Sequence, residues 1–229
     1  MQLSIRLAAV ANLAKNAICL ADIGTDHGYI PIYLAQQGKL KSALAMDVNK
    51  GPLLRAEENI RKYGLEDIIQ TRLSDGAKKL LPGEADTVVI AGMGGALTIR
   101  ILEESREVLQ SVKTFVLQPQ SEIHLVRRYL HENNFCICAE DMVREDGKYY
   151  PMMLACHGAQ EAWKEEEYRF GRYLLQERNA CLWEFLAKER TSCERILAEL
   201  KQKDGVSAQA ALEKWQREFA MIEKTMEEF

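Results

Sequence analysis

The sequence predicts an α/β fold, a doubly wound parallel sheet followed by a helical C-terminal hairpin. Three observations predict it. Five short apolar or β-branched runs alternate with helix-compatible stretches over the first two thirds of the chain. Each run ends in an acid, a glycine-rich loop or a proline. After Gly158 the composition becomes charged and helical, with no proline and no glycine between Gly171 and Gly205. At 229 residues the chain accommodates one α/β domain, placed at 1–158, and an appendage at 159–229.

The first run, 17–20, leads into Asp22, and Gly24 and Gly28 precede a helical run at 30–37. This reads as strand, tight turn and helix. Glycine lets the backbone turn and approach a ligand, and the helix start offers N–H groups and a positive dipole end. Thr25, Asp26 and His27 separate the two glycines, so the three-glycine dinucleotide fingerprint is absent. An acid at the strand end suits a ligand ammonium. A nucleotide-like ligand with a cationic tail, S-adenosylmethionine (SAM), fits better than a pyrophosphate.

The second strand, 42–46, ends at Asp47, followed by Val48. An acid about 20 residues past the glycine turn is placed to bind ribose hydroxyls. Gly51 and Pro52 open a helix, with Leu53, Leu54, Ala56 and Ile60 at helical spacing. The third strand, 68–72, precedes Ser74, Asp75 and Gly76, where an acid would meet an adenine amino group. The fourth, 85–91, precedes Gly92, Met93, Gly94 and Gly95. The fifth, 112–117, precedes Gln118, Pro119 and Gln120. Helices are expected at 96–110 and 121–133. Ligand sites in such sheets lie at the carboxyl ends of the strands, where all these loops fall.

The strings ADIGTDHGYIP (21–31), AMDVNKGPL (45–53), LSDG (73–76), AGMGG (91–95) and LQPQ (117–120) resemble the bacterial tRNA (adenine-22-N1)-methyltransferases. The resemblance implies a Rossmann-like class I SAM-dependent methyltransferase with a coiled-coil-like C-terminal domain. It also implies methylation of adenine N1 at position 22 of tRNA. The candidate cofactor-binding residues are Asp22, Gly24, Thr25, Gly28, Asp47, Val48, Asp75, Gly76 and Gly92. The candidate catalytic surface is Asp26, His27, Tyr29, Gly92, Met93 and Gly94. Many amino-directed methyltransferases carry Asn/Asp-Pro-Pro-aromatic after the fourth strand, where this chain has glycines. Two other readings stand beside this one: a SAM enzyme for another RNA base or a small molecule, and a non-catalytic SAM or nucleotide sensor.

Net charge is −4, so no global field draws nucleic acid, and local basic patches must serve. Candidates are Arg6 and Lys15, Lys78 and Lys79, Arg127 and Arg128, and Arg169, Arg172 and Arg178. In the tail, acidic residues outnumber basic ones, 15 to 12 over 160–229. Leu182, Leu186, Cys193, Ile196 and Leu200 form one stripe, interrupted by Glu189. After a turn at 203–207, with Ser207 as N-cap, Leu212, Trp215, Phe219, Ile222, Met226 and Phe229 follow heptad spacing. An intramolecular hairpin and a monomer are preferred over a dimerising coiled coil. Of the six cysteines only Cys136 and Cys138 are close, and they are read as facing opposite sides of a strand. No metal cluster is therefore expected, and the thiols read as reduced in a cytoplasmic protein. No apolar run is long enough to span a bilayer, and no signal peptide is recognised.

Overall fold

The computed structural model describes residues 1–202 and 205–229. In chain order the elements are α1 (Ile5–Leu13), β1 (Cys19–Ile23), α2 (Tyr29–Gln36), β2 (Ser42–Asp47), α3 (Lys50–Lys62), β3 (Ile69–Leu73), β4 (Thr87–Met93), α4 (Gly95–Glu104), α5 (Arg106–Leu109), β5 (Thr114–Pro119), α6 (Ile123–Glu132), β6 (Phe135–Glu145), β7 (Lys148–His157), α7 (Glu165–Phe170), α8 (Arg172–Gln176), α9 (Ala180–Leu200) and α10 (Val206–Glu228). The chain divides into two compact units, Met1–Ala162 and Trp163–Phe229. No helix among the described residues is long and apolar enough to cross a membrane.

The first unit is a seven-stranded sheet in the order β3-β2-β1-β4-β5-β7-β6. The first five strands in that order run parallel, and β7 is antiparallel to both its neighbours. The central strands are apolar on both faces because helices cover both: Leu20, Ala21, Val88, Val89, Ile90 and Val116 are fully buried. Strand order reverses between β1 and β4, which opens a crevice at their carboxyl ends.

Four of the five parallel strands begin one or two residues later than their apolar runs suggest, and β2 begins where its run does, at Ser42. The Asp86 carboxylate accepts from the Ile18 and Cys19 amides, anchoring the start of β1 at Cys19. At the other end, polar residues such as Asp22 and Gln118 stay in the ladder, because hydrogen bonding does not require an apolar side chain. The helix expected over 96–110 breaks at Ser105 into α4 and α5. α1, capped by the Ser4 hydroxyl, and the β6–β7 hairpin carry no strong sequence signal.

Two expectations fail in this unit. Arg127 is not a surface residue: its guanidinium is buried against Glu140, Nε to Oε1 at 2.7 Å, tying α6 to β6. Cys136 and Cys138 do not diverge. Residues two apart on a strand share a face, and Cys156 is the cross-strand partner of Cys136.

In the second unit α9 and α10 pack as an antiparallel pair. Trp183 meets Phe229 at 5.3 Å, and Arg190 meets Glu223 at 2.6 Å. Ile222 and the stripe residues Leu182, Leu186 and Cys193 are buried. Arg169 pairs with Glu218 and Arg172 with Glu167, so neither presents an unengaged cation. Gly205, not Ser207, caps α10, and Ser207 lies inside the helix. Residues 203 and 204 of the expected turn lie outside the described residues.

Candidate active site

The loop after β1 is pinned from two sides. The Gly24 and Thr25 amides donate to the Met46 carbonyl of β2 at 2.7 and 2.9 Å. Asn59 of α3 donates to the His27 carbonyl at 3.0 Å. Gly24, His27 and Gly28 all take left-handed backbone, with φ of 74°, 63° and 67°. For His27 this conformation carries strain, which the Asn59 bond offsets. Gly28 opens α2 without a side-chain cap, leaving the helix start to a ligand or solvent.

The acids divide into two kinds. Asp22 is buried, and burial pushes its carboxyl up to about 6. The Thr25 hydroxyl, close but short of a full hydrogen bond, opposes that rise, and the Asp47 charge adds to it. Ionised Asp22 is therefore a desolvated anion that a neighbouring cation would stabilise. Asp26 is exposed and engaged, 3.1 Å from Arg55 Nη2 and 3.4 Å from His27 Nε2. His27 stacks on Tyr29 at 5.0 Å, so the Asp26–His27–Tyr29 stretch forms one braced surface.

On the next strands, Asp47 ends β2 and its Oδ1 accepts from the Asn49 amide at 2.6 Å, with exposed Val48 between them. Asp75 is held by Lys78 at 2.6 Å, which keeps its carboxyl below the usual carboxylate range. Gly76 is left-handed and lies against Ile101 of α4.

The end of β4 carries a bulge between Ala91 and Met93, with Gly92 at φ 84°. Gly94 caps α4. The Gly95 amide donates to the Ser121 carbonyl, and a Cβ on Gly95 would lie 2.5 Å from that oxygen. Gly95, outside the expected site, is thus the glycine that backbone packing requires here.

A cavity of about 210 Å³ joins part of these elements. Asp22, Gly24, Thr25, Asp26 and Tyr29 line it, with Ala91 of β4 and Arg6 of α1. His27, Gly28, Gly92, Met93 and Gly94 adjoin these residues in the chain but lie outside the lining, as do Asp47, Val48, Asp75 and Gly76 on the neighbouring strand ends. Arg6 has an unexpected place: its Nη1 donates to the buried Gln118 Oε1 at 3.0 Å, and its guanidinium lies over the Tyr150 ring. The sequence marks Arg6 only as a basic residue, because nothing local links positions 6, 118 and 150.

A methyltransferase-domain family model matches residues 3–153. The tRNA (adenine(22)-N(1))-methyltransferase of Bacillus subtilis is 33% identical over 207 residues, covering 88% of this chain and 87% of the relative. The chain belongs to the tRNA (adenine(22)-N(1))-methyltransferase family. The crystal structure of the B. subtilis M1A22 tRNA methyltransferase TrmK is 29% identical, with a TM-score of 0.86 and coverage of 98% of each chain. M. capricolum TrmK, solved with S-adenosyl-homocysteine, is 30% identical at a TM-score of 0.86, covering 100% of this chain and 99% of that one.

Proposed function

We propose that this protein transfers a methyl group from SAM to N1 of adenine 22 in tRNA. The observation that carries the reading is the family membership over 88% of the chain. The carboxyl-edge crevice supports it. Asp22 is a buried anion suited to the cofactor's ammonium, and Gly24 and Gly92 take the left-handed backbone that turns the chain at the crevice. Asp47 would hold the ribose hydroxyls, and Val48, Asp75 and Gly76 would hold the adenine. Thr25 and Gly28 complete the turn at the methionine end.

Bound SAM supplies a methyl group already activated by its sulfonium. The target N1 carries an in-plane lone pair, so the protein's task is positioning rather than strong base catalysis. Gly92, Met93 and Gly94 offer a flat surface against which a base can lie. Tyr29, fixed by its stack on His27, walls the cavity, and Asp26, held by Arg55, stands where it can orient the adenine amino group. The N1 edge is the pairing edge, so the base must be exposed, by local unpairing or flipping.

Labelled SAM incubated with tRNA transcripts bearing adenine or guanine at position 22, followed by nucleoside mapping, tests the reading. N1-methyladenosine from the adenine transcript alone is the expected result. Label on another base redirects the assignment, and label on no tRNA returns it to a small-molecule substrate.

A further inference from the structure

At the amino end of β5, opposite the crevice, three sulfurs converge. Cys156 of β7 lies between Thr114 of β5 and Cys136 of β6 in the ladder. The register slips between Ile137 and Ala139, so Cys138 is the extra residue of a bulge. The Sγ atoms of Cys136, Cys138 and Cys156 all lie within 4.8 Å of one another, and Cys138 and Cys156 approach to 2.9 Å. We propose that Cys136, Cys138 and Cys156 bind one thiophilic metal ion, of the zinc or copper(I) class, independently of methyl transfer.

The geometry fits that chemistry. Sulfurs about 2.3 Å from a tetrahedral zinc stand about 3.8 Å apart, within the range these three span. Cys136 and Cys138, two apart on β6, share a face with Cys156, so all three sulfurs already stand together. Cys138 is exposed, which gives an ion an entry path and leaves a coordination position to water; Cys136 and Cys156 are half-buried and fixed by the ladder. An all-sulfur donor set selects soft cations over magnesium or calcium.

Each coordinating thiol gives its proton to solvent as its sulfur binds the ion, so uptake releases protons.

The test uses the full chain, reduced, stripped with a chelator and titrated with cadmium as a spectroscopic stand-in for zinc. The expected result is a thiolate-to-metal charge-transfer band saturating at one ion per chain, reversed by zinc. Three of the six thiols should become shielded from a thiol reagent. Cys138→Ser should lose at least about 100-fold in affinity, since even indirect supports of a metal ligand are worth about 10–100-fold. Cys19→Ser should bind as the parent does. Absence of the band, or undiminished affinity in Cys138→Ser, overturns the proposal. So does a Cys138–Cys156 disulfide in protein that takes up no metal after reduction. Thiol counting on the parent protein decides the matter even if a variant folds poorly.

Discussion

A Cβ on Gly24 would stand 2.0 Å from Cε of Met93, so the loop after β1 is covered by a side chain from the end of β4. Gly24 is also left-handed, at φ 74°. The two constraints differ in kind. Met93 ends in a flexible thioether and can swing away, whereas the backbone strain stays. Gly24→Ala should therefore cost about 1–2 kcal/mol of stability, with Met93 displaced over the crevice and SAM binding weakened. Met93→Ala in the same chain should recover binding but not stability. Denaturant midpoints and calorimetric SAM titrations on the single and double variants separate the two effects.

Asp22 is pushed up to about 6 from 3.8. The folded protein thus holds this proton more tightly than the unfolded chain does. The resulting stability is fully present below about pH 4 and is lost as pH rises through about 6. At pH 8 the ionised carboxylate costs on the order of 2–3 kcal/mol. Asp22→Asn should then raise the denaturation midpoint at pH 8, with the gain vanishing near pH 4, while SAM affinity falls. In the parent protein SAM affinity should also decline as pH drops through 6, because the protonated acid no longer attracts an ammonium. Destabilisation of Asp22→Asn at pH 8 would show that a partner outweighs the desolvation.

Asp47 has two duties, a proposed one toward ribose and an observed one toward the Asn49 amide. Asp47→Ala should weaken SAM binding by about 1–3 kcal/mol, the cost of unpaired polar partners. Asp47→Asn keeps an oxygen for the Asn49 amide. It should restore the loop, read as the parent's stability, and recover only part of the affinity. Full recovery by Asn would reduce Asp47 to a loop brace.

The parallel half of the fold was legible because buried strands leave apolar runs and the turns between them need glycine. Gly24, Gly28 and Gly92 were legible for the same reason: each has positive φ. What escaped depends on contacts distant in sequence. Arg6 joins the crevice only because α1 crosses near Gln118 and Tyr150. Asn59 and Arg55 read as ordinary helix-surface residues, yet they hold the loop that contains Asp26 and His27. Arg127 carries the same letter whether it faces solvent or a buried Glu140. The Cys136–Cys138–Cys156 convergence needs the hairpin register, which alternation alone does not supply.

The Arg127–Glu140 pair is almost wholly buried, with side-chain exposures of 1% and 0%. Glu140→Gln leaves the guanidinium charge in place and removes its counter-charge. The expected loss is about 3–5 kcal/mol, typical of breaking a buried pair. tRNA affinity of the folded fraction should be unchanged at matched salt, since Arg127 does not face solvent. Reduced affinity without reduced stability would reinstate Arg127 as part of an RNA surface.

Gly94 and Gly95 adjoin but make opposite demands. Gly94 has ordinary extended backbone, φ −66° and ψ 153°, and a Cβ there would meet only Ser121 Oγ at 3.2 Å. A Cβ on Gly95 would press on the Ser121 carbonyl at 2.5 Å, which cannot yield without moving backbone. Gly94→Val should therefore fold and bind SAM nearly as the parent does, because the neighbouring hydroxyl can turn aside. Its bulk would nonetheless occupy the flat surface where the target base is proposed to lie, so turnover on tRNA should be lost. Gly95→Ala should fail earlier, with lower stability and weaker SAM binding together. Nucleoside mass spectrometry on treated tRNA, run beside SAM calorimetry, reads both variants. Normal N1-methyladenosine formation by Gly94→Val would remove the Gly92–Gly94 surface from the acceptor site and move the search for it to the cavity that Arg6 and Tyr29 line.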